Sequence, residues 1–129
     1  MAFNVFAHNR DDHSKNFAYL MDSAGDWHLA PAYDLTFSSG ISGYHTTAVG
    51  GESRAPTMRG MRQLARDAGL DERQATEALE EVAAAVAEWP SVAKVLDISD
   101  AVIKRLGKVL DETCRTALES RGPRGHRPR

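Results

Sequence analysis

The residues best equipped for chemistry crowd into one stretch, His8-Asn9-Arg10-Asp11-Asp12-His13-Ser14-Lys15-Asn16, and into Asp34, eighteen residues after Asn16. This set holds carboxylates, a neutral amide oxygen and an ammonium group. Transfer of a phosphoryl group from Mg-ATP needs those types. One carboxylate must accept or orient the proton of the attacking hydroxyl. A second must hold Mg²⁺ against the phosphates, helped by a neutral oxygen such as an Asn carbonyl. A lysine beside the first carboxylate offsets charge on the moving group.

The elements around these residues decide whether they meet. Phe17–Met21 is short, aromatic and apolar, as strands are. Asp22–Asp26 supplies turn residues, with Gly25 free to take positive φ. Trp27–Ala30 reads as the returning strand of a β-hairpin, and Pro31 marks its exit. Asp11 and Asn16 stand five residues apart, and Asp34 follows the hairpin. Protein-kinase catalytic loops separate Asp and Asn by five residues and supply the metal-binding Asp after such a hairpin. Residues 38–53, with Gly40, Gly43, Gly50 and Gly51, have little periodicity and predict a long loop of the functional or mobile kind. His45 lies in it with no partner evident.

From Met58 the pattern turns helical. A first helix is expected over Met58–Ala68, stopped by Gly69. Asp71 followed by Gln74 is a capping-box spacing and starts a second. Its apolar stripe is Ala75, Leu79, Val82, Val86 and Trp89, and Pro90 ends it. Glu77, Glu80, Glu81 and Glu88 form its solvated side. A final helix begins after Ser99 or Asp100 and buries Val102, Leu106, Val109, Leu110 and Ala117.

Asp11-Asp-His-Ser-Lys-Asn-Phe17 and Leu29-Ala-Pro-Ala-Tyr-Asp-Leu35 resemble the catalytic loop and metal-binding segment of HipA-type serine/threonine kinases, the toxins of bacterial type II toxin–antitoxin modules. A weaker likeness continues through Gly50-Gly51-Glu52 and the helices beyond. The resemblance implies an α+β, mostly α, protein-kinase-like C-lobe. In it a short hairpin carries the catalytic and metal loops on a helical bundle. It implies Asp11 as catalytic base, Lys15 as the loop lysine, and Asn16 and Asp34 as ligands of Mg²⁺ and hence of ATP. His13 matches the motif in an orienting role. The implied partners are a protein Ser/Thr substrate and a helix-turn-helix antitoxin. The sequence has no glycine-rich phosphate loop and no strand lysine with its glutamate. The expectation is therefore residues 1–120 as the C-terminal domain, with the ATP-binding lobe absent and supplied by a partner subunit, or lost by truncation or splitting.

Composition sets the outer limits. The chain has 129 residues, 42% hydrophobic and 26% charged, which suits one globular domain with one core. A net charge of -2 argues against a dedicated nucleic-acid binder. Four arginines fall in residues 121–129, which have no large apolar side chain and read as a disordered basic tail. Cys114 is the single cysteine, so no internal disulfide forms, and its helical setting predicts a buried inert thiol. The N-terminus lacks the pattern of a signal peptide and no run reaches transmembrane length, making the cytoplasm the expected compartment.

Two other readings start from the same residues. A metal-dependent hydrolase would use Asp11, Asp12, His13, His8 and His28 as ligands. Against it, Asp11 and Asp12 are adjacent and point apart in an extended loop, and no His pair has helical spacing. A catalytically inactive fragment, binding only a partner lobe or an antitoxin, is the second alternative. The structural expectations for single residues are Tyr33 and Leu35 packing to fix Asp34, Trp27 and Trp89 as core anchors, and Asp12 as a solvated or capping carboxylate.

Overall fold

The computed structural model describes residues 1–119. The expected basic tail at 121–129 lies outside the described residues. The fold is mostly helical with one two-stranded antiparallel sheet.

The chain opens on a short helix, α1 (Ala2–Phe6), where loops and strands were expected. It is too short to show a period, and its existence rests on burial of Val5 and Phe6 in the core. Its end matters for the site. His8 takes a left-handed conformation (φ +55°), its N–H bonds Val5 O, and the Asn9 N–H bonds Asn4 O at 2.9 Å. This is the paired 6→1 and 5→2 closure of a helix C-terminus, and it swings Asn9 back across α1.

A single 3-10 turn (Ser14–Asn16) follows, then β1 (Tyr19–Met21) and β2 (Trp27–Leu29), with Leu20 opposite His28. Asp22 closes the hairpin turn by accepting the Ala24 and Asp26 N–H groups at 2.8 and 3.0 Å, and Gly25 takes φ +91°. Those backbone donors, Asp26 first, hold the Asp22 carboxyl below its usual range. Both strands are exposed along their whole length. Trp27, expected as a core anchor, is 66% exposed. A two-stranded ribbon has too few neighbours to bury either face.

Residues 40–56 are irregular, overlapping most of the loop expected at 38–53, with one 3-10 turn at Ile41–Gly43. It is fastened rather than free. The Thr46 N–H bonds Arg10 O at 3.0 Å, the His45 N–H bonds Ser53 O, and Arg10 donates to Gly43 O. Gly40 sits at φ +64° where a Cβ would run into Tyr44 O and stand 2.8 Å from Arg10 Cβ.

The helical region is α2 (Met58–Asp67), α3 (Glu72–Ala87), α4 (Trp89–Val95) and α5 (Asp100–Leu118). Thr57 caps α2 by accepting the Gly60 N–H. Gly69, at φ +71°, stops it, with the Leu70 N–H on Ala65 O. Asp71 caps α3 through the Gln74 N–H at 2.9 Å. Pro90 does not end α3; it stands in the first turn of α4, where a missing N–H costs nothing. That helix was not anticipated. Leu79, Val86, Leu110 and Ala117 join Val5, Phe6, Val49, Met58 and Met61 in one core cluster. Trp89 packs against it and donates its Nε1–H to Ile103 O at 3.2 Å. Glu77, Glu80, Glu81 and Glu88 are exposed, as expected. No helix among the described residues is long and apolar enough to cross a membrane.

Candidate functional site

Asn16 and Asp34 line one cleft of about 190 Å³, together with Asn4, Asn9, Tyr33 and the mouth of the hairpin. Four hydrogen bonds tie its walls. The Asn16 amide donates to Asp11 O at 3.0 Å, spanning the whole loop from the 3-10 turn. The Tyr33 hydroxyl donates to Lys15 O. The Asn9 amide donates to Asn4 Oδ1 at 3.2 Å and reaches Asp34 O at 3.4 Å. The loop from Asp11 to Asn16, the hairpin exit and α1 thus share one network.

The bond to Asp11 O identifies which end of the Asn16 amide is nitrogen, so its oxygen is the acceptor left over. Asp34 sits at φ +54°, a conformation that Asp and Asn tolerate better than most side chains. Its carboxylate and the Asn16 oxygen are an all-oxygen donor pair in one cleft, which suits a hard cation such as Mg²⁺. Asp11 and Lys15 are exposed at the loop surface, and neither makes an ion pair among the described residues. His13 is half-buried, and its Nδ1 has no hydrogen-bond partner.

Asp12 is the correction with most consequence. Far from being solvated, it is 4% exposed. Its carboxylate accepts His45 Nδ1–H at 3.0 Å and the Thr47 N–H at 3.1 Å, while the Thr47 hydroxyl bonds Asp12 O. His45 therefore has a partner after all, thirty-three residues away. The pair anchors the 40–56 loop beneath the residue next to Asp11. Sequence offered one signal for this, an acidic residue beside the motif and a histidine in a polar loop, but no register between them.

His8 is also withdrawn from solvent. It stacks on Phe37 with ring centroids 5.1 Å apart, and its Nδ1 pairs with Thr113 Oγ1 at 2.8 Å. Burial, and then the charges of Arg10 and His45, lower its pKa to about 4. Tyr33 and Leu35 are exposed rather than packed: Tyr33 acts through its hydroxyl, and Leu35 lines an apolar groove with Phe3, Phe37 and Trp89. Asn4 and Asn9 went unnoticed as site residues, since their position depends on where α1 stops. Cys114 is half-buried, and burial pushes its thiol pKa up, in keeping with an inert thiol.

The hydrolase ligands are dispersed among other partners: His28 on Asp22 at 3.1 Å, His8 on Thr113, Asp12 on His45. No three His, Cys, Asp or Glu side chains converge among the described residues.

No curated protein and no solved structure matches the chain. Residues 1–89 match the family model of the HipA-like C-terminal domain. That span, 89 of 129 residues, runs from α1 to the start of α4 and includes the whole cleft and the loop anchored beneath it. With its loop, hairpin and cleft all inside the match, the chain belongs to the family of HipA-like C-terminal domains.

Proposed function

We propose that this chain is the C-lobe of an ATP- and Mg²⁺-dependent kinase that phosphorylates protein serine or threonine in the cytoplasm, within a toxin–antitoxin module. The observation that carries the reading is the cleft shared by Asn16 and Asp34, with Asp11 bonded to Asn16 across the loop. Asn16 and Asp34 would hold Mg²⁺, which when bound screens the phosphate charges. The exposed Asp11 carboxylate takes the proton of the incoming hydroxyl as its oxygen bonds phosphorus and the bond to ADP breaks. Lys15, beside it, offsets charge on the phosphoryl oxygens. Tyr33 and Asn9 hold the backbone at Lys15 and Asp34, so the two walls keep their spacing.

A lobe with a glycine-rich loop would complete the nucleotide cleft, and the exposed hairpin supports its docking here. Phe17, Tyr19, Leu20, Met21, Trp27 and Leu29 are all more than half exposed. So large an apolar surface beside a candidate site marks an interface. The same surface supports the second reading, a non-catalytic module that binds a partner lobe or a helix-turn-helix antitoxin.

Thermal unfolding with Mg-ATP separates the two. Saturating ligand at a hundredfold excess over its Kd adds about 2.7 kcal/mol of stability. The kinase reading expects a raised midpoint that Asp34→Asn erases, and phosphoryl transfer by the two-lobe enzyme that Asp11→Asn abolishes with the fold intact. Asn suits the left-handed backbone at residue 34, so that variant tests the carboxylate alone. Transfer undiminished in either variant would sink the assigned roles, and no midpoint shift in any lobe combination leaves the binding module.

A further inference from the structure

We propose that the cavity between the 40–56 loop and α5 is a second site, one that binds a phosphate group. The cavity measures about 370 Å³, and Arg10, Arg54, His8, His45, Glu112 and Thr113 are among its walls. It shares no wall with the Asn16–Asp34 cleft, and the inference does not rest on the kinase reading.

Two guanidinium groups border this space without a direct ion pair, although the Glu52 carboxylate lies within electrostatic reach of Arg54. Neither Arg10 nor Arg54 has a carboxylate within 4.0 Å among the described residues. Glu112 is the one carboxylate on the wall, and it pairs with Arg115 at 3.9 Å. Asp12, the nearest buried acid in sequence, is spent on His45 and Thr47. The two arginines repel each other: burial first, and then Arg54, lower the pKa of Arg10. A second positive charge beside the partly desolvated Arg10 raises the energy of the empty state, and an anion between the two relieves it.

Both forks are held in place before any ligand arrives. Arg10 donates through one amino group to Gly43 O, and Arg54 lies over the Tyr44 ring at 5.5 Å. Two fixed guanidinium forks with a threonine hydroxyl nearby present several donors to one oxyanion, which favours phosphate over a single carboxylate. His8, neutral near pH 7, adds a hydrogen-bonding ring without adding charge.

The test is calorimetric titration of the full chain with inorganic phosphate and, separately, O-phosphoserine, both against sodium chloride at matched ionic strength. Saturable binding is expected in at least one titration. Arg54→Gln, an exposed position, should weaken it by at least about tenfold, as loss of a charge-assisted fork does. Asp34→Asn should leave it unchanged, which separates this site from the nucleotide cleft. Bound phosphate should also raise the His8 imidazole pKa followed by NMR, since a nearby anion favours the charged ring. Equal affinity for the two ligands assigns the site to the bare anion; tighter phosphoserine assigns it to a phosphate carried on an organic group. Binding no greater than that of chloride, or full binding by Arg54→Gln, overturns the proposal.

Discussion

His8 shows how one side chain can be both structural and titratable. It terminates α1 in a left-handed conformation, stacks on Phe37 and pairs with Thr113 on α5. Its pKa is held at about 4 against an ordinary 6.5, so the folded protein binds this proton less readily than the unfolded chain. Stability from this group is therefore full above about pH 6.5 and is lost as pH falls towards 4, by up to about 3 kcal/mol. Urea midpoints measured across that window should decline in the parent. In His8→Asn, which keeps the left-handed turn, that part of the decline should vanish. An equal decline in the variant would move the effect to other groups. Asp12 and His45 make the neighbouring point. Each is ordinary in sequence, and only their meeting, thirty-three residues apart, turns two polar loop residues into a buried anchor.

At the scale of elements, the hairpin and the loop behave in opposite ways. The loop, glycine-rich and aperiodic, is tied down by bonds to Arg10 and Asp12. The hairpin, short, aromatic and largely apolar, leaves both faces to solvent. Substituting Trp27→Ser and Leu29→Ser together should change unfolding free energy by no more than about 1 kcal/mol, since both are exposed and neither belongs to the core cluster. The same pair should abolish capture of a lobe bearing a glycine-rich loop, measured by co-purification or calorimetry. A large loss of stability with binding intact would instead place the hairpin in this chain's own core. The helix boundaries follow rules visible at the level of the element: Thr57 and Asp71 accept N–H groups at helix starts, and Gly69 closes α2. Pro90 was legible as a breakpoint, but its direction was not, because proline suits a first turn as well as a stop.

For the whole molecule, α1 is the piece that connects core and site. Phe6 is fully buried, in the cluster that also holds Leu79 and Val86 of α3 and Leu110 and Ala117 of α5. Phe6→Ala should destabilise the chain by about 3–5 kcal/mol, as large-to-small changes in cores do. Because Asn4 and Asn9 flank Phe6 and line the cleft, residual nucleotide response should fall with the fold rather than outlast it. Denaturant unfolding read by Mg-ATP response and by circular dichroism should give coincident curves. A response that outlives the helices would uncouple cleft from core.

Local patterns in the chain were enough to place the hairpin, the Gly69 stop of α2, the Asp71 cap of α3, the buried Leu79 and Val86 of α3 and Leu110 and Ala117 of α5, and the spacing of Asp11, Asn16 and Asp34. Each of these is written in one contiguous stretch of chain, where period and turn chemistry act. Val102, Leu106 and Val109 are only half-buried, and the buried Ile103 was not anticipated. Other features needed tertiary structure: the existence of α1, the burial of Asp12 against His45, the swing of Asn9 to Asp34, and the exposure of Trp27. A five-residue helix has no period to read and forms only against a core. Whether a carboxylate is solvated or clamped depends on what packs over it from a distant segment. An aromatic strand is buried only if some other element covers it, and among the described residues none does so along β1 and β2.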